Sequence, residues 1–210
     1  MYTLYYSPGA CSLAVHSVLH SLDIPFETVR IDISKGENRT PEYLKINPRG
    51  QVPVLVINGK RQVRESGVIA TYLIDKHKSP LLPADGDARL RAMEWLSFYN
   101  STMHQAYSNF FLMQNNLKDE AVKQGACELI GKRISVLWKE IEAHLAENKY
   151  LAGDIMTIAD IFLAVIANWN GMVSDKIKLG PNTLRVCKEI SALPYFQQAL
   201  AAEKIKYRVV

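Results

Sequence analysis

Two hydrophobic periods divide the chain, with strands and helices mixed up to about residue 78 and helical spacing alone beyond it. YTLYY (2 to 6) is rich in aromatic and strand-favouring residues and ends at the breaker pair Pro8-Gly9. Leu13, Val15, Val18, Leu19 and Leu22 then recur at helical spacing, which predicts a helix over 12 to 22 with Ser12 near its cap. FETVRIDI (26 to 33) alternates as a strand does, PEYLKI (41 to 46) is a short helix opened by proline, and PVLVI (53 to 57) is a buried strand. Asn58-Gly59 marks a tight hairpin turn into the strand RQVR, and SGVIATYLIDKH (66 to 77) closes the unit as a helix.

The first strand-helix-strand unit calls for parallel strands and the hairpin for antiparallel ones, so a mixed four-stranded sheet follows, the thioredoxin-like arrangement. SPLLPADG (79 to 86) interrupts the pattern with two prolines and a glycine and reads as a linker. Beyond it, helices are expected from about 87 to 115 and from about 119 to 147, the second with Leu129, Ile134, Leu137, Ile141 and Leu145 on one stripe. Thr157 and Asp160 stand three apart before an apolar run, a capping-box variant with Asp in place of Glu or Gln. Short helices near 182 to 191 and 194 to 203 finish the chain. The expected organisation is a thioredoxin-like domain over 1–78, a linker over 79–86 and an all-helical domain over 87–210.

Composition narrows the function. With 48% apolar and 22% charged residues the chain is that of an ordinary soluble globular protein. A net charge of +4, without a concentrated basic face, argues against nucleic acid. The N-terminus lacks the basic start and apolar run of a signal peptide, and the most apolar segment, ADIFLAVIANW, is too short for a membrane span. Cys11, Cys127 and Cys187 are odd in number and far apart, which fits a reducing cytoplasm and suggests neither a disulfide framework nor a metal site.

Four places can carry chemistry. Cys11, in SPGACS, stands at a strand-helix junction, where the helix dipole and unpaired N–H groups favour a thiolate; it reads equally as a half-buried packing residue. Tyr5, Tyr6 and Ser12 are near Cys11 and could donate to a thiolate there, although strand tyrosines more often serve as half-buried packing. Val52-Pro53 begins a strand, an awkward place for proline; a cis bond there would turn the Val52 backbone toward a ligand, and an edge-strand proline is the plainer alternative. Glu65-Ser66 stands where a strand hands over to a helix, so Ser66 can receive a carboxylate and Glu65 an ammonium, the two charges of an amino acid, unless the pair is an ordinary N-cap. Lys35 reads as a surface charge and His104 as a polar residue at a helix-packing surface, and either is able to face a cleft.

SPGACS, NPRGQVPVL, RESGVIATYL and GDIMTIAD, in this order and spacing, resemble the cytosolic glutathione transferases, and the cysteine with MHQAY is similar to their bacterial beta class. The resemblance implies glutathione as co-substrate with no metal, a homodimer, and a small hydrophobic electrophile taken up by the helical domain around Tyr107, Phe110, Phe111 and Trp169, aromatics that read equally as bundle core, at least half of them being expected there. It implies that Cys11 lies beside the glutathione sulfur and is able to form a mixed disulfide with it. The backbone of Val52 before a cis Pro53 would pair with the cysteinyl part, Glu65 and Ser66 would hold the γ-glutamyl end, and Lys35 would contact the glycyl side. His104 would lie near the thiol, and Thr157 and Asp160 would form a folding-related box. Gln105 stands where beta-class sequences often have lysine, and Ser97 where an asparagine often reaches the partner subunit's glutathione. The implied activity is conjugation of the glutathione thiolate to electrophiles, with thiol transfer or peroxide reduction through Cys11 as a second chemistry. The alternative is a non-catalytic ligand-binding or regulatory protein on the same fold.

Overall fold

The computed structural model describes residues 1–173 and 177–209. The chain divides into two compact units, Met1–Ala84 with Ile190–Tyr207, and Asp85–Glu189 with Arg208–Val210.

In the first unit, β1 (Tyr2–Tyr6), β2 (Phe26–Arg30), β3 (Val54–Ile57) and β4 (Arg61–Arg64) form one sheet in the order β2-β1-β3-β4. β1 runs parallel to β2 and antiparallel to β3, and β3 pairs antiparallel with β4 across the Asn58-Gly59 turn. This is the mixed thioredoxin-like sheet the pattern predicts. α1 (Ser12–Ser21), α2 (Pro41–Ile46) and α3 (Ser66–His77) fall on the expected segments. The core joins Leu4, Val54 and Leu55 of the sheet to Leu13, Val18 and Leu19 of α1 and to Ile69 and Leu73 of α3, all fully buried. α10 (Pro194–Glu203), counted with the helical part when the sequence is read by period, packs on α1, and its Phe196 and Leu200 are buried.

β2 stops three residues short of its expected end. Asp32 leaves the ladder, its carboxylate accepts the Ser34 N–H at 3.1 Å, and two single 3-10 turns, Ile33–Lys35 and Glu37–Arg39, follow. A short polar side chain that bonds its own backbone competes with strand pairing, and at the sheet edge it wins.

The second unit is helical. The expected helix over 87 to 115 is α4 (Gly86–Phe98) and α5 (His104–Asn116), joined by a π-helical turn, Tyr99–Met103, that keeps the chain running in one direction. α6 (Glu120–Glu147) buries Ile134, Leu137, Ile141 and Leu145, but Leu129 is 71% exposed. A step of five residues from 129 to 134 swings Leu129 about 140° off the stripe, given about 100° per residue. α7 (Ile158–Ala167) is buried along its whole length and starts at the Thr157/Asp160 capping box, followed by α8 (Asn170–Val173) and α9 (Pro181–Ser191).

Glu142 of α6 caps the first turn of α9, a connection no local pattern announces. One carboxylate oxygen accepts from the Asn182 N–H (3.0 Å) and Nδ2 (2.8 Å), the other from the Thr183 N–H (2.8 Å) and hydroxyl (2.7 Å). Burial opposes ionisation, but these donors outweigh it and hold the carboxyl below its ordinary value. A depressed carboxyl stabilises the fold above its unfolded value and loses that contribution as pH falls through the folded one. Glu142→Gln is therefore expected to cost about 1–2 kcal/mol at pH 7 by urea denaturation, with the difference shrinking below about pH 4.

No helix among the described residues is long and apolar enough to cross a membrane.

Candidate functional site

The first unit brings five of the expected site residues, Cys11, Val52, Pro53, Glu65 and Ser66, together where α1, β3 and α3 begin. Gly9 turns the chain with φ +72, Cys11 forms the cap of α1, and its buried Sγ donates to the Val52 carbonyl at 3.6 Å. The Val52–Pro53 peptide is cis, and Val52 lies just outside the β1–β3 ladder, whose pairing begins at Val54 with Tyr5. Ser66, also buried, reaches the same sulfur with a hydrogen bond. Glu65 precedes it at φ +68 and ψ 113, a conformation L-residues rarely adopt, and its side chain turns outward to meet Arg49.

The electrostatics of Cys11 differ from what its position alone suggests. A helix N-terminus favours the thiolate, but burial pushes the thiol up to about 12, with the Glu65 charge adding to the rise and the Ser66 hydrogen bond working against it. Removing a charge from water outweighs the partial charge at a helix end. Burial thus favours the neutral thiol of Cys11, whose S–H donates to the Val52 carbonyl.

The other hydroxyls near Cys11 have structural work. Ser12 Oγ donates to the Ser7 carbonyl at 3.1 Å and accepts the Ser7 N–H at 3.3 Å. Tyr6 is buried against His16, and half-buried Tyr5 tilts toward Tyr43. Lys35 sits apart from the sulfur's partners, with its side chain 75% exposed and Nζ 3.7 Å from Asp32.

A contact that the sequence does not announce holds the SPGACS loop from behind. Glu203, the last residue of α10, is buried and accepts the Gly9 N–H through Oε2 at 2.8 Å, while Oε1 lies 3.0 Å from His16 Nδ1. With Glu203 and Gly9 194 positions apart, no local signal was there to find.

In the second unit, half-buried His104 begins α5 and tilts against Trp169 at 5.2 Å between ring centres, and Tyr107 meets Trp169 edge-on at 5.6 Å. Tyr107, Phe110 and Trp169 are buried and Phe111 is half-buried. The Tyr107 hydroxyl accepts from Trp138 Nε1 at 2.8 Å and donates to Asn170 Oδ1, so this ring is anchored core. Ser97 and Gln105 are exposed. Among the described residues no group of three or more His, Cys, Asp or Glu is arranged to hold a metal.

Two family models match the chain: glutathione S-transferase N-terminal domain over residues 1–75 and glutathione S-transferase C-terminal domain over residues 99–194. Glutathione S-transferase GST-4.5 of Xanthomonas campestris pv. campestris is 35% identical over 168 residues, 79% of this chain and 81% of that protein. The chain belongs to the glutathione S-transferase family. It is a glutathione transferase. Among solved structures, a sphingomonad glutathione S-transferase complexed with glutathione matches with a TM-score of 0.83 at 28% identity, over 97% of this chain and 100% of that one. The bacterial beta class glutathione S-transferase of Sphingomonas chungbukensis matches with a TM-score of 0.85 at 28% identity, over the same shares.

Proposed function

We propose that this glutathione transferase is a beta-class enzyme of the cytoplasm that binds glutathione as co-substrate and conjugates its thiolate to small hydrophobic electrophiles. The observation that carries the reading is the enclosure of the Cys11 sulfur by the Val52 carbonyl and Ser66, beside a Glu65 held in a rare backbone conformation. Glu65 and Ser66 take the γ-glutamyl end, the Val52 backbone ahead of Pro53 pairs with the cysteinyl part, and Lys35 serves the glycyl carboxylate. The thioredoxin-like domain over 1–78 holds glutathione, and the helical domain beyond the 79–86 linker takes up the electrophile. There His104 and half-buried Phe111 offer the accessible ring surface, since Tyr107, Phe110 and Trp169 are committed to packing.

The chemistry follows from the state of Cys11. Because burial favours its protonated form, its S–H swings from the Val52 carbonyl to the glutathione sulfur when glutathione binds and stabilises that thiolate. The glutathione proton passes to solvent, the thiolate forms a carbon–sulfur bond with the electrophile, and the leaving group departs with its electron pair. Thiol transfer, in which Cys11 attacks a glutathione disulfide and releases a glutathione thiolate, is the slower second activity, since it needs the disfavoured Cys11 thiolate.

Cys11→Ala is expected to lower kcat/KM for conjugation of an aryl halide about tenfold, the worth of one hydrogen bond to a charged group, and to abolish thiol transfer from a mixed disulfide. Both activities unchanged would remove Cys11 from the mechanism. A wild-type chain that did not bind millimolar glutathione would favour a non-catalytic protein on this fold. A homodimer is also proposed. Supporting it is the family resemblance. Sedimentation at micromolar concentration tests it, a monomer being the contrary result.

A further inference from the structure

Arg49 Nη1 meets Glu65 Oε1 at 2.5 Å, yet the two side chains are 63% and 60% exposed. An ion pair this open to water adds little stability. Both partners are nonetheless held by costly local structure. Glu65 sits at φ +68, which disfavours any side chain. Arg49 rides on a loop whose backbone is fixed at every step: its N–H donates to Asn47 Oδ1 (3.2 Å) and its carbonyl accepts from Arg39 Nη1 (3.2 Å). The Gly50 carbonyl accepts from Asn38 Nδ2 (2.7 Å), and the Gln51 carbonyl from Asn47 Nδ2 and the Tyr43 hydroxyl (both 2.7 Å). Asn38, Asn47 and Tyr43 are buried, and Gly50, at φ +64, lies so close to Asn38 that a Cβ would stand 2.7 Å from its carbonyl oxygen. So much framework around a pair that contributes little to the fold indicates that the pair serves something outside it.

The geometry points to Arg49 as a specificity-determining residue that, together with Glu65, reads the zwitterionic end of a γ-linked peptide, Glu65 taking its ammonium and Arg49 joining Ser66 on its α-carboxylate. This rests on the proposed binding of glutathione and adds a residue to it. A charge pair aligned in advance matches a ligand that carries both charges on one carbon. In a γ-glutamyl peptide the α-ammonium and α-carboxylate share that carbon, whereas in an α-linked peptide the carboxyl beside the ammonium is consumed as an amide. The pair therefore selects γ-linked thiol peptides over α-linked ones of identical composition. Binding exchanges one solvent-screened internal contact for two to the ligand, and the planar guanidinium suits a carboxylate.

The test is calorimetry on the full chain with three probes: S-methylglutathione, its analogue lacking the γ-glutamyl α-carboxylate, and its α-linked isomer. Wild type is expected to prefer S-methylglutathione over both. Arg49→Ala should weaken S-methylglutathione about tenfold, one charge-assisted contact, while shifting the decarboxylated analogue less than about twofold. Arg49→Lys should recover part of the loss, and the melting temperature of both variants should stay near wild type. S-methylglutathione binding that Arg49→Ala leaves unchanged or tightens, or an equal loss with all three probes, overturns the assignment while leaving glutathione binding intact. No binding of S-methylglutathione by wild type overturns the glutathione reading itself, and this assignment with it.

Discussion

Glu203→Ala is expected to be among the most damaging single substitutions in the chain, lowering stability by about 3–5 kcal/mol in chemical denaturation. The carboxylate is buried at the end of α10, and both its oxygens are engaged, one by the Gly9 N–H and one by His16. Truncation strands a half-buried N–H and a buried imidazole at once, and an unsatisfied polar group costs about 1–3 kcal/mol when buried. Against a typical total of about 5–15 kcal/mol, that is a large share. Glu203→Gln keeps one carbonyl acceptor and should lose roughly half as much. The damage should also be local: the Gly9 amide, protected by Glu203 in the native state, should exchange with solvent much faster in Glu203→Ala than amides of the β1–β3 ladder. A loss below about 1 kcal/mol, or Gly9 protection that survives, would show that the SPGACS loop holds its shape without α10.

That connection also marks the boundary of what the sequence could tell. β1, α1, α3 and the Asn58-Gly59 hairpin were readable because each is written within a dozen residues, by period, cap or turn chemistry. The sheet order followed from handedness and hairpin rules. Cys11, Val52 and Ser66 could be nominated because each stands at an element boundary, where backbone groups are unpaired, and the fold brings them to one sulfur. The Glu203 anchor, the Glu142 cap on α9 and the Arg49–Glu65 pair are tertiary and have no periodic signature. For Cys11, position left a thiolate and a packing residue equally open. Helix electrostatics is local and readable, whereas the burial that favours the protonated thiol depends on what packs over it. Leu129 failed for a simpler reason, since five residues is not a helical step.

Asp160 carries the second large effect, and its sign runs opposite to that of Glu142. Its buried carboxylate accepts the Leu151 N–H at 3.0 Å and the Thr157 N–H at 2.8 Å, so it joins the start of α7 to the loop before it. Burial is the leading influence and pushes the carboxyl up from 3.8 to about 6, with the hydrogen bonds from Leu151 and Thr157 limiting the rise. A carboxyl raised in the folded state binds more protons there than in the unfolded chain between those two values. Stability contributed at this site therefore falls as pH rises from about 4 to about 6, by up to about 3 kcal/mol. Asp160→Asn removes the ionisation while keeping one acceptor, so wild type should lead it by more at pH 4 than at pH 7, in parallel urea titrations. Asp160→Ala removes both acceptors and should cost about 2–4 kcal/mol at either pH. A gap between wild type and Asp160→Asn that widens from pH 4 to pH 7 would mean that the converging N–H groups, rather than burial, govern this carboxylate, and that α7 is held by a buried charge the fold can fully satisfy.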